Sequence, residues 1–222
     1  MSSHVSYQLI YLMWKNFLPK LQQHLLPRIL SNLAAHSPDS RISDADQYKC
    51  DASKVLFKHD RMYQHNLFRV NYTTYDIRRG QDVMNPSTSH HNVMVLANTE
   101  DDESASAHPF RYARVLGVFH VNVVYVGHGM VDYQPHRLEF LWVRWYENSG
   151  VTRNGWFDQK LDRIRFPSMA GQDAFGFIDP SDVLRGCHVV PAFSKGRQHY
   201  DGRGISRCAK DSGDWAQYYV NR

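Results

Sequence analysis

Cysteine is scarce and badly spaced for either of its structural uses. The three cysteines, Cys50, Cys187 and Cys208, are an odd number at irregular intervals and form no CxxC pair. This excludes zinc ribbons and thioredoxin-like redox motifs and argues against a secreted disulfide framework. Long hydrophobic runs are missing as well. The apolar stretch Leu9–Trp14 is far short of the roughly 20 residues of a spanning helix, and it has neither a basic flank nor a small-residue cleavage site. These absences predict an intracellular protein with no membrane partner. There is no GxSxG, HExxH, P-loop or GxGxxG motif, so the common nucleophile elbows, zincin sites and phosphate loops are excluded. Gly127-His128-Gly129 lacks the third glycine that phosphate binding needs. Charge of one sign is not in large excess either: 26 Lys+Arg against 22 Asp+Glu leave +4.

What is present is a foldable, aromatic chain. Its 222 residues are 42% hydrophobic and 13% aromatic, enough for one large domain and biased toward strands. Leu18, Leu21, Leu25, Ile29 and Leu33 recur at three- and four-residue steps. That periodicity predicts a helical segment over 1–35, with Pro19 opening its second part and Pro27 kinking or interrupting it. Residues 36–53 read as a polar linker, and residues 54–222 as a β-rich domain with a mobile acidic loop at 98–107. Alternation predicts strands at 67–74, 92–97, 110–126 and 138–147, with the last two paired and Val121, Val123, Val143 and Trp145 in the core. Shorter strands are expected at 163–167, 174–178 and 187–193. DPSDVLRG reads as one helical turn between Asp179 and Gly186, and residues 78–91 as a loop. The resulting fold expectation is mainly β (α+β): a curved antiparallel sheet or small barrel with an N-terminal helical segment. The chain ends in WAQYYVNR without a stop signal, which predicts a fragment of something longer.

The candidate ligand-binding residues lie on the two long strands. One bears Tyr112 and Arg114, with His120 and Asn122 expected on the same face, and the other Trp142, Arg144 and Tyr146. Facing solvent, they would offer aromatic walls to a cation and guanidinium donors to an anion. A second candidate is the glycine-rich loop with Lys195, Arg197 and Arg203, interleaved with His199 and Tyr200, which could touch the phosphates of a nucleic acid. Asp201 within it, and Asp211 and Asp214 after it, offset that charge. Cys187 reads as a structural thiol, because neighbouring side chains on a strand cannot pair as nucleophile and base. No fixed-spacing pair of histidines marks a metal site, and no cofactor is expected. The alternative to a non-catalytic interaction module is a metal-dependent hydrolase, in which His120 or His128 would converge with a carboxylate across strands.

Taken in order, LPKLQQHLLPRIL, FRVNYTTYDIRRGQDVMNP, HPFRYARVLGVFHVNV, RLEFLWVRWYE, AFGFIDPSDVLRGCHVVPAF and YYVNR resemble the C-terminal region of transposon-encoded proteins in basidiomycete fungi. The type is Plavaka, related to CACTA-like elements. Pro27 and the acidic insert at 98–107 depart from that pattern. The resemblance implies a non-catalytic accessory domain in the nucleus rather than the cytoplasm. Its partners would be chromatin protein, nucleic acid or the upstream part of such a protein. The layout of YARVLGVF, LWVRWYE and FIDPSDVLRGCHVVP is similar, at fold level, to bromo-adjacent homology (BAH) domains, and implies a BAH-like β-rich chromatin module.

Overall fold

The computed structural model describes residues 3–36, 51–73, 76, 78–97, 108–127, 133–149 and 161–221, with the side chains of the first helix described from Asn16. The expected linker residues 37–50 and the acidic loop 98–107 fall outside the described residues, as do Cys50 and His128.

A single helix, α1 (Ser3–His36), carries both Pro19 and Pro27 inside it, so Pro27 does not interrupt it. Both prolines are exposed, as is Gln23 one turn before Pro27. The carbonyl that loses its partner there therefore sits on the water side of the helix. The opposite face is apolar: Leu21, Leu25, Ile29 and Leu33 are all buried. They share a core with Val121, Val123, Leu138 and Phe140 of the sheet. Among the described residues, no helix is long and apolar enough to cross a membrane.

The largest sheet is built on β5 (Phe110–Tyr125) and β6 (His136–Trp145), paired antiparallel from Ala113↔Trp145 to Val123↔His136. Their β-branched and aromatic composition accounts for their length. β4 (Asn92–Leu96) lies against the first part of β5, and β1 (Val55–His65) against the second. β9 (Phe175–Ile178) pairs with β6, and β10 (Val183–Gly186) pairs with β4. The path β10-β4-β5-β6-β9 is open. This corrects the expectation of a curved sheet or small barrel. The architecture is α+β, with mostly antiparallel sheets and one long helix, and the sheets are neither closed nor strongly curled. Closure would require β9 and β10 to pair with each other. Instead Asp179 accepts from the Ser181 amide at 2.9 Å, and Pro180–Asp182 form a one-turn 3-10 helix. That turn separates the two strands, and they go to different partners. The expected helical turn ends at Asp182, and the residues up to Gly186 are strand.

The remaining strands form two further sheets rather than one continuous one. β11 (His188–Pro191), β12 (Tyr218–Asn221), β8 (Asp162–Arg165) and β7 (Glu147–Asn148) make a four-stranded sheet. β2 (Phe68–Thr73) and β3 (Arg79–Met84) form a hairpin across what reads as a loop in the sequence. Val70 and Met84 of that hairpin pack with Val93, Val115, Leu141 and Val143 on one side of the large sheet. Helix α1 and the residues around Tyr146, Ile164, Phe166 and Tyr218 form separate clusters with it. Trp145, expected in the core, is only partly buried and packs against the first cluster.

A β-bulge in β5 decides which residues share a face. The register shifts between Val115 and Gly117, where two residues of β5 oppose Trp142. One extra residue reverses the alternation beyond it. Ala113, Val115 and Val118 therefore belong to one cluster, while Val121 and Val123 belong to the other. His120 and Asn122 consequently do not share a face with Tyr112 and Arg114, contrary to unbroken alternation.

Candidate nucleic-acid interface

The first candidate site is not a solvent-facing patch. Arg144 is 0% exposed, and Tyr112, Arg114 and Tyr146 are also buried. Arg114 and Arg144 lie directly opposite each other on β5 and β6, a pairing that repels unless an anion intervenes. Asp214 supplies it. One carboxylate oxygen accepts from Arg114 Nη1 at 2.6 Å and the other from Arg144 Nη1 at 2.5 Å. The Phe166 ring lies 4.4 Å from the Arg114 guanidinium carbon and 3.8 Å from that of Arg144. Tyr146 stacks on Phe166 at 4.0 Å and donates to Asn92 Oδ1 at 3.0 Å. Burial pushes the hydroxyls of Tyr146 and Tyr218 above their usual range. These side chains hold the C-terminal segment to the sheet, and Tyr112, Arg114, Arg144 and Tyr146 offer no surface for a ligand. Only Trp142 is partly exposed; its ring meets Phe17 of α1 and Phe175 of β9.

Of the histidines, His120 meets His65 across β5 and β1, with Nδ1 and Nε2 2.6 Å apart. Ring centroids 4.9 Å apart place the two rings end to end along a shared N–H···N bond. Among the described residues no group of three His, Cys, Asp or Glu is arranged to hold a metal ion, so the hydrolase alternative gains a pair of imidazoles but no third ligand there. Burial pushes the Cys187 thiol up to about 12.

Two other histidines set a pH dependence. Burial, and then Arg114 beside His91 and Arg28 beside His24, lower both from 6.5 to about 4. The folded chain keeps them neutral where the unfolded chain protonates them. Their contribution to stability is therefore complete above about 6.5 and is lost as pH falls toward about 4. The urea midpoint is expected to decline across that window, and the double variant His24→Gln, His91→Gln to lose the upper part of the decline. An unchanged slope in the double variant would assign the decline to carboxylates instead.

The second candidate gains what the first loses. The two carboxylates that offset the basic loop in sequence are turned inward, Asp211 and Asp214 each being 1% exposed. Asp211 accepts from the amides of Ile205 at 2.6 Å and Ser206 at 3.0 Å, with His199 Nε2 at 3.3 Å. Gly204 permits this approach, since a Cβ there would lie 2.3 Å from Asp211 Oδ1. The loop thus folds around one acid and is anchored by the other. Lys195, Arg197, Arg203 and Arg207 remain at the surface, with Asp201 as the acid among them. Arg197 bridges to Trp215, backbone to backbone, and its guanidinium lies 5.3 Å from the Trp215 ring centre. Phe193 meets the same ring edge-on at 4.9 Å and is 67% exposed, while Tyr200 is 89% exposed. Gly196, at φ 77°, closes the turn after Phe193–Lys195, a backbone conformation that glycine adopts without steric cost. The segment thus exposes four cationic side chains and two open aromatic rings, and Arg197 and Phe193 meet through the Trp215 ring. Phe193 and Arg207 lie just outside the basic run that the sequence marks; Phe193 is joined to Arg197 because both reach Trp215, and Arg207 is exposed four residues after Arg203.

Comparison with protein-family models, with curated proteins and with solved structures returns no match.

Proposed function

We propose that the chain is a non-catalytic interaction module that binds nucleic acid through the face formed by residues 193–215. The observation that carries this reading is the inward turn of Asp211 and Asp214, which leaves Lys195, Arg197, Arg203 and Arg207 opposed by Asp201. Arginine supplies bidentate donors to phosphate, and exposed aromatic rings give unpaired bases a surface for stacking. The reading agrees with the resemblance to the C-terminal region of transposon-encoded proteins, and an accessory role beside a nucleic-acid-processing protein fits both. The chromatin-reader alternative is less supported, because the aromatic and guanidinium groups proposed for it on β5 and β6 are mostly buried.

Fluorescence anisotropy with labelled single-stranded and duplex oligonucleotides tests the reading. Affinity is expected to fall steeply with salt, since each neutralised phosphate contributes a slope of about −0.7 to −0.9 in log K against log salt. The variant carrying Lys195→Gln, Arg197→Gln, Arg203→Gln and Arg207→Gln is expected to lose most of that slope and to bind at least about a hundredfold more weakly at low salt. With magnesium, manganese or zinc added, the oligonucleotides are expected to stay intact. No binding at low salt, or unchanged binding by the fourfold variant, would refute the interface; cleavage would refute the non-catalytic reading.

A further inference from the structure

Between α1 and the β6–β9 edge lies a cleft of about 260 Å³, independent of the basic face. Trp142, Phe175, Phe177 and Phe17 line it, and Lys20 stands at its rim. Its aromatic walls are held by one another. Phe17 meets Trp142 edge-on at 5.7 Å and Phe177 at 5.1 Å, while Trp142 and Phe175 are tilted by 32° with centres 6.3 Å apart. The Lys20 ammonium donates to the backbone carbonyl of Gln172, which fixes it beside the opening and leaves two of its three N–H donors for another acceptor.

Size, wall chemistry and charge together narrow what such a cleft accepts. Its volume falls just below the range of drug-sized pockets, which suits a molecule of one or two rings. Aromatic walls favour a planar ring through offset and edge contacts. An aromatic box alone would also suit an alkylammonium, the ligand of methyl-lysine cages. The rim argues otherwise. None of the described residues lining the cleft is acidic, and the fixed charge beside it is the positive one of Lys20. A cationic ligand meets repulsion there, and an anionic one meets a donor.

We propose that the cleft binds a small planar aromatic acid, with its ring against Trp142 and its carboxylate on Lys20 Nζ. Calorimetric titration of the full chain with indole-3-acetate, its neutral amide and tryptamine separates the alternatives, because the three share a ring and differ in charge. Indole-3-acetate is expected to bind most tightly, the amide about fivefold more weakly, and tryptamine most weakly of all. Lys20→Gln, a change at the helix surface, is expected to bring acid and amide to equal affinity while leaving the far-UV circular dichroism unchanged. Tightest binding of tryptamine would make the cleft a cation cage and overturn the proposal. So would equal affinity for all three, no saturable binding of the acid at millimolar concentration, or a preference for the acid that survives Lys20→Gln.

Discussion

Asp214→Ala is expected to destabilise the protein by about 3–5 kcal/mol in urea unfolding, the cost of leaving a buried charge without its partner. The cause is the cross-strand pairing of Arg114 with Arg144. Like charges in register on adjacent strands repel, and here each guanidinium reaches one oxygen of the same carboxylate. With Asp214 gone, Arg144 would sit 0% exposed with the face of Phe166 for company, and a ring quadrupole replaces only part of a full negative charge. Lys210 adds to the imbalance: burial, and then Arg114, push its ammonium below its usual range. The control is the variant Arg114→Met, Arg144→Met, Asp214→Leu, which removes all three charges and is expected to recover most of the loss, since apolar replacement of a buried ionic group is often neutral or better. A loss below about 1 kcal/mol for Asp214→Ala would mean that water, not this carboxylate, balances the two arginines.

The same substitution reaches the proposed interface. The Asp214 carbonyl accepts from the Gln198 amide at 2.9 Å, and the Ala216 amide donates to Gly196 at 3.1 Å. The basic loop is thus stitched to the segment that the two arginines hold. Loosening that segment is expected to lower nucleic-acid affinity even though Asp214→Ala makes the chain more positive, a sign opposite to the one charge alone predicts.

The distance between partners separates what is legible in the sequence from what is not. Alternation along 138–147 assigns Arg144 and Tyr146 to one side of β6 and Leu141 and Val143 to the other, which the clusters reproduce. It says nothing about what covers that side, because Asp214 is 70 residues from Arg144 and 100 from Arg114. A row of aromatic and basic side chains reads the same whether it faces water or a distant carboxylate. For the same reason Asp211 and Asp214 look like neighbours that neutralise the basic loop, when the fold turns them inward. Local irregularity hides other features. β1 is broken by a register shift between Phe57 and Met62, where His59 and Asp60 adopt positive φ, so its period of two is lost. β3 is polar and contains Gly80, and it is a strand because β2 pairs along its whole length. The bulge at Val115–Gly117 moves His120 to the other face, and its one local mark is Gly117, since an isolated glycine within a strand often signals a bulge.

Leu25→Ala is expected to cost about 2–5 kcal/mol, as for a fully buried leucine whose neighbours cannot close the gap. Leu25 is 0% exposed, midway along the stripe that runs from Leu21 to Leu33, and the core it enters includes Val121, Val123 and Phe140. Phe140 is itself held between rings, at 5.5 Å from Phe119 and 5.6 Å from Phe177, so little can move into the space a leucine leaves. Polar contacts hold the helix in the same register. Gln22 Nε2 donates to the Val55 carbonyl at 3.0 Å, Arg28 Nη1 to the Glu139 carbonyl at 2.7 Å, and Arg28 Nε lies 2.6 Å from Asp179. Leu18 is 48% exposed, and Leu18→Ala is expected to stay within about 0.5 kcal/mol. The contrast tests whether α1 belongs to the cooperative unit of the sheet. If it does, helix ellipticity and tryptophan fluorescence lose their native values at one urea concentration, and Leu25→Ala lowers both midpoints together. Equal and small effects of the two substitutions, or a helix signal that melts before the fluorescence changes, would make α1 an appendage resting on the sheet. The cleft against Trp142 would then open and close with the helix.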